Sequence, residues 1–165
     1  GERFKLEKVK KIVPGGTRRQ DSVRFGIEAA RENYDLVLIH DGVRPAIDKA
    51  LIERVIKTAR THRAVITALP AKETVKEVDG EGFVVKTYAR KQIWLVQTPQ
   101  VFRYEDIEAA HQKAMIERWD EATDDSALIE RLGIPVTVVE GSEKNIKVTT
   151  PHDLELTRFL LQETP

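Results

Sequence analysis

Leu36-Val37-Leu38-Ile39-His40-Asp41-Gly42-Val43-Arg44-Pro45 is the stretch on which the fold turns. Four consecutive aliphatic residues bounded by polar ones predict a strand buried on both faces, the habit of a sheet covered by helices. Asp41 then lies just beyond the strand's carboxyl end, where open α/β sheets place their ligands. Gly42 allows close backbone approach, Arg44 offers a planar cationic fork suited to phosphate, and Pro45 stiffens the exit. From these residues alone two readings stand. Asp41 and Arg44 hold a metal ion and an anion together, or they cap the next helix and pair at the surface.

On the amino-terminal side, residues 9–13 alternate apolar side chains with lysines and predict a short strand. Gly15-Gly16 follows, then a helix over 22–32 with Val23, Gly26, Ile27 and Ala30 on one face. Two glycines between a strand and a helix make either an anion cradle from unpaired first-turn N–H groups, or a plain turn with Asp21 or Ser22 as cap. Beyond the central strand, Asp48 is the N-cap of a helix to residue 61, and residues 64–69 form another buried strand. Strand and helix alternate to this point. The alternation predicts an α/β protein with right-handed crossovers and a mostly parallel, Rossmann-like sheet flanked by helices.

The pattern changes at Thr74. Residues 74–78, the turn Asp79-Gly80-Glu81-Gly82 and residues 83–89 predict a β-hairpin. A lone hairpin is marginal in water, so this one lies along the parent sheet or serves as a dimerisation arm against another subunit. Residues 93–96 return to the core. Residues 97–102 read as a polar loop whose Gln97 and Gln100 either satisfy their own backbone or read a base or a sugar. A helix over 104–118 places Ile107, Ala110, His111 and Met115 on one face, with His111 packed at the edge of the core. Thr123-Asp124-Asp125-Ser126 is an N-cap cluster for a helix ended by Gly133, the alternative being a metal site on the paired acids. Residues 135–140 and 146–148 read as strands, with Lys147 either directed into a site by its apolar neighbours or solvated on an edge. Thr150-Pro151-His152-Asp153 opens the last helix with a cap, a proline at the first helical position and an acid in the first turn.

Composition narrows the function classes. A chain of 165 residues has room for one domain with a real core. Lys and Arg number 27, as do Asp and Glu, so no global field draws the protein to nucleic acid or an anionic membrane, and any anion site is local. The absence of cysteine excludes disulfide and thiolate chemistry. No apolar run approaches the roughly 20 residues that span a bilayer. Together these predict a soluble, cytoplasmic protein.

Six motifs occur in one order: Gly15-Gly16-Thr17-Arg18 with Asp21-Ser22-Val23; His40 to Pro45; Thr74-Val75-Lys76; Trp94 with Gln97-Thr98-Pro99-Gln100; Thr123-Asp124-Asp125; and Asn145 to Pro151. The ordered set closely resembles the 2-C-methyl-D-erythritol 4-phosphate cytidylyltransferase family. Ribitol-5-phosphate cytidylyltransferase shares several of the motifs, but Arg90 shortly before Trp94 matches the arm of the methylerythritol family. The resemblance implies transfer of a cytidylyl group from CTP to a polyol phosphate with Mg2+ or Mn2+, in a homodimer joined through an arm over residues 74–92. It implies that Gly16, Thr17 and Ser22 hold the cytidine and that Asp41 binds the metal, with Arg44 in the same loop. Thr74 and Arg90 would grip the sugar phosphate in the partner's site, and Lys147 would position that phosphate. Asp41, Lys147 and Arg90 are thus the implied catalytic set.

The family begins with a strand and a glycine-rich loop whose arginine and lysine cradle the CTP phosphates, and residues 1–165 hold no match to them. The expectation is a single nucleotidyltransferase domain lacking an amino-terminal βαβ portion, and inactive as given. The remaining alternative is a non-catalytic assembly module that keeps the sheet and the arm.

Overall fold

The computed structural model describes residues 7–30, 34–119 and 122–162. In chain order the elements are α1 (Arg19–Ala29), β1 (Leu36–Ile39), α2 (Lys49–Ala59), β2 (Ala64–Pro70), β3 (Lys76–Val78), β4 (Val84–Thr87), β5 (Trp94–Arg103), α3 (Tyr104–Ile116), α4 (Ser126–Arg131), β6 (Val136–Glu140) and α5 (Pro151–Gln162). Among the described residues four strands form the central sheet in the order β1-β5-β2-β6, and β3 and β4 pair in a separate two-stranded sheet.

Three of the four central strands run in one direction, as the alternation of strand and helix predicts, while β5 runs against them between β1 and β2. The reason lies in the register, which sets Pro70 opposite Trp94. The chain leaves the sheet at the end of β2, makes the 71–93 excursion and re-enters beside the point it left. It can only run back, so the sheet is mixed.

Helices cover both faces because neighbouring residues on the inner strands point opposite ways. Ala64 and Phe102 join Ile27, Ile107, Ala110, Ala114, Leu128 and Ile129 on the face of α1, α3 and α4. Val65 and Val101 join Leu51, Val55, Ala59 and Val139 on the face of α2. Each buried Leu, Ile or Val contributes roughly 1.5–3 kcal/mol. At α2 the predicted cap is present, with Asp48 Oδ1 accepting from Leu51 N at 2.7 Å.

Several local readings are corrected. Residues 9–13 form no strand and lie exposed. The first helix starts at Arg19 rather than residue 22, and residues 31–32 of its predicted span lie outside the described residues. β1 is half-buried rather than buried on both faces, and among the described residues it pairs with β5 alone, at the sheet's edge. The 93–96 segment does not return to the core, and Leu95 is 57% exposed. Residues 97–102, read as a loop, are the buried half of β5. Ala114 rather than Met115 faces the core from α3, and residues 146–148 form no strand. The burial differences share a source: burial depends on the neighbour an element finds, and sequence periodicity does not contain the neighbour.

Candidate functional site

The site is built where β1 gives way to a loop beside the middle of β5. Across from β2, the register jumps between Ile66 and Thr67, and Thr98 and Pro99 fall in the jump, joined by a cis peptide bond. This irregularity re-aims the polar residues of β5. Gln97 exchanges bonds with Ser142, donating to its carbonyl at 3.0 Å and accepting from its N–H at 3.2 Å. Gln100 donates to Asp124 Oδ2 at 2.7 Å.

The Thr98 hydroxyl anchors the loop after β1. It accepts from Asp41 N at 3.0 Å and lies 3.1 Å from His40 Nδ1, while His40 Nε2 lies 3.0 Å from the Arg44 carbonyl. A carbonyl only accepts, so Nε2 carries the proton, and in the neutral ring Nδ1 accepts from the Thr98 hydroxyl. The loop around Lys147 is pinned to the same place. Asn145 Nδ2 donates to Thr98 O at 2.7 Å, and Val148 N donates to Val43 O at 2.8 Å.

These bonds deliver three cations to one carboxylate. Lys147 Nζ lies 3.3 Å from Asp41 Oδ2, Arg44 Nε 3.7 Å from the same oxygen, and Arg19 Nε 3.4 Å from Oδ1. Burial alone would raise the Asp41 pKa, but Arg19, Lys147 and Arg44 outweigh it and hold the carboxyl below its usual range. Burial acts the other way on Arg44 and lowers its pKa despite Asp41. Asp41, Arg19, Arg44 and Lys147 share the wall of a cleft of about 430 Å³ with Gln97, Thr98, Gln100, Thr123 and Asp124. Two buried polar atoms on this wall, Arg44 Nε and Gln100 Oε1, have no hydrogen-bond partner among the described residues. Such atoms are costly unless a ligand or water meets them. A larger hollow, about 500 Å³, lies between residues 10–13 and α1, but it gathers two lysines without an acid to organise a reaction.

Residues 2–163 match the model of the IspD family, 2-C-methyl-D-erythritol 4-phosphate cytidylyltransferase. The chain belongs to this cytidylyltransferase family. Its relative from Syntrophus aciditrophicus is 48% identical over 160 residues, spanning 97% of this chain and 68% of the relative. The relative from Pelotomaculum thermopropionicum is 45% identical, spanning 98% and 67%. Among solved structures, 4-diphosphocytidyl-2C-methyl-D-erythritol synthase from Anaerococcus prevotii superposes with a TM-score of 0.86 at 37% identity, covering 96% of this chain and 74% of that one. The cytidylyltransferase from Thermus thermophilus gives 0.82 at 37% identity, covering 91% and 72%. The ribitol phosphate alternative is not favoured by these matches.

Against this cytidylyltransferase frame, the residues singled out by sequence fall into three groups. Asp41, Arg44 and Lys147 meet in the cleft. Gly16, Thr17 and Ser22 form the turn into α1 and do not line it. There Ser22 Oγ accepts from Gly16 N at 2.9 Å and donates to Arg18 O at 3.2 Å, and a Cβ on Gly16 would sit 2.3 Å from Asp21 Cβ. Thr74 and Arg90 lie exposed on the arm, where Arg90 Nη1 donates to Lys72 O at 2.6 Å. They do not line this chain's own cleft.

Sequence reasoning missed Arg19, whose signal was its place in the first turn behind two glycines. It also read Gln97 and Gln100 as loop residues. As for metal, no group of three or more His, Cys, Asp or Glu is gathered among the described residues. The Asp41 carboxylate, with Asp124 on the same wall, fits a divalent cation that takes most of its oxygens from phosphates and water, as Mg2+ and Mn2+ do.

Proposed function

We propose that this protein transfers the cytidylyl group of CTP to 2-C-methyl-D-erythritol 4-phosphate, releasing pyrophosphate, in the non-mevalonate route to isoprenoid precursors. The observation that carries the reading is the cleft: one carboxylate held among three cations from three chain segments, on a sheet shared with the family.

A phosphate oxygen of methylerythritol phosphate attacks the α-phosphorus of CTP, and the bond to the β-phosphate oxygen breaks with its electron pair leaving on pyrophosphate. No covalent bond to the protein is needed. The difficulty is that two anions must be aligned against their repulsion, and Arg19, Arg44 and Lys147 supply fixed positive charge where it builds up. Lys147 positions the sugar phosphate. The family resemblance assigns the cytidine to Gly16, Thr17 and Ser22, which lie beside this cleft at the start of α1 rather than on its wall. Asp41 would hold a magnesium or manganese ion, which would supply positive charge against the charge that develops on the phosphates.

In this reading Thr74 and Arg90 serve the cleft of a second copy, so the working unit is a homodimer. The exposed apolar side chains Val78, Phe83, Val84 and Val85 on the hairpin support an arm that docks on protein. Among the described residues no helix is long and apolar enough to cross a membrane. The cysteine-free composition supports the cytoplasm as the compartment.

The test is pyrophosphate release by the full-length gene product that carries this sequence, given CTP, Mg2+ and either polyol phosphate. Release with methylerythritol phosphate and not with ribitol 5-phosphate is expected. Release with ribitol 5-phosphate alone, or with neither, overturns the proposal.

A further inference from the structure

Behind the cleft lies a buried pair, Asp125 and His111, that the transfer mechanism does not use. Asp125, next to the start of α4, has a side chain only 1% exposed, and His111 of α3 is 2% exposed. His111 Nε2 lies 3.2 Å from Asp125 Oδ1. On the other side, Arg19 Nη1 lies 2.9 Å from Asp125 Oδ2, while Arg19 Nε and Nη2 both lie 3.4 Å from Asp41 Oδ1. One guanidinium is therefore shared between a buried carboxylate and the carboxylate of the cleft, and the buried one has the shorter contact. That contact is an ion pair rather than an aligned hydrogen bond, since Oδ2 receives no N–H at hydrogen-bond geometry.

A buried carboxylate persists only when it is paired. Burial opposes the charge on Arg19, yet Asp125 and Asp41 together raise its pKa. We infer that Asp125 is a positioning residue: it tethers the Arg19 guanidinium to the cleft wall, so that Arg19 can let go of Asp41 when anionic substrate arrives and still remain paired. His111 holds Asp125 from the α3 side. Without Asp125, the remaining carboxylate partner of Arg19 among the described residues is Asp41. The two would then close on each other and withhold both groups from substrate. The kinetic consequence rests on the proposed function; the tether itself does not.

Two measurements on the full-length protein separate these levels. The first is nitrogen-15 NMR of the arginine Nε–Hε groups. Because Arg19 Nε–Hε then closes on Asp41, Asp125→Asn is expected to slow its water exchange about tenfold and to leave Arg44, which is bonded to Asn145 O, unchanged. Unchanged exchange at Arg19 overturns the tether. Should Asp125→Asn not fold, Asp125→Ser, in which water can enter the vacated space, gives the same readout.

The second is a double-mutant cycle in kcat for pyrophosphate release. Asp125→Asn lowers kcat about tenfold when Arg19 is present and has no further effect beside Arg19→Gln. An equal loss in both backgrounds shows that Asp125 acts on the fold alone and overturns the inference. Absence of turnover in the parent protein counts against the proposed function, and the exchange measurement then decides the tether.

Discussion

Arg44 Nη1 donates to the main-chain carbonyl of Asn145 at 2.8 Å, a buried bond between residues 101 positions apart in sequence. With the bond from Val148 N to Val43 O, it ties the loop that carries Asp41 to the loop that carries Lys147, where Lys147 comes within 3.3 Å of Asp41. Lysine at position 44 keeps the charge but not the planar fork, so it cannot reach both Asn145 O and Asp41. Arg44→Lys is expected to lower the unfolding free energy by about 1–3 kcal/mol and pyrophosphate release by roughly tenfold or more. Urea unfolding and steady-state rates check both, and wild-type values would contradict the tie.

Two glycines give a matched pair of tests. A Cβ on Gly16 meets Asp21 Cβ at 2.3 Å and the Asp21 backbone at 3.2 Å, so the turn into α1 must shift. Gly16→Ala is expected to cost about 1–3 kcal/mol. By contrast a Cβ on Gly42 meets nothing within 4 Å. Gly42→Ala should change stability by less than about 0.5 kcal/mol, so any loss of CTP affinity in that variant, read by calorimetry, reports the nucleotide's approach rather than the fold.

The start of α5 predicts a pH dependence. Asp153 Oδ2 accepts from Thr149 N, Thr150 N and Thr149 Oγ1 at 2.8–3.0 Å, and the bond from Thr149 N leads the causes that lower its pKa from 3.8 to about 2. A folded-state pKa below the unfolded one stabilises the fold above the unfolded value, and that contribution is lost as pH falls from about 3.8 through about 2. The melting-temperature gap between wild type and Asp153→Asn should therefore be constant from pH 5 to 7 and shrink between pH 4 and 2. A gap that does not change with pH refutes this role.

The hairpin supplies a test of assembly. Val85 is 60% exposed beside Phe83 and Val84. In a homodimer joined through the arm, Val85→Asp buries a charge at the contact and should shift sedimentation from dimer to monomer. An unchanged distribution removes the arm from the interface.

Much of this architecture was legible in the residues. The aliphatic run of β1 fixed the position of Asp41 at a strand end, and Asp48 and Thr150-Pro151 marked their helix starts, because these signals are local. The reversed direction of β5 was not legible, since it follows from where the arm returns the chain. Gln97 and Gln100 looked like loop residues because their partners, Ser142 and Asp124, are distant in sequence. Arg19 was passed over for a related reason: its meaning comes from Asp41 and Asp125, and neither is a neighbour along the chain.

The central claim is that the Asp41 carboxylate does chemistry rather than holding the loop. Asp41→Asn keeps the shape and removes the charge. Arg19 retains Asp125, Arg44 retains Asn145 O, and Lys147 is 45% exposed to water, so the variant should stay folded. Pyrophosphate release from CTP and methylerythritol phosphate, measured beside circular dichroism, is predicted to fall at least about a hundredfold in folded protein. Turnover near the wild-type rate in folded Asp41→Asn would contradict the account.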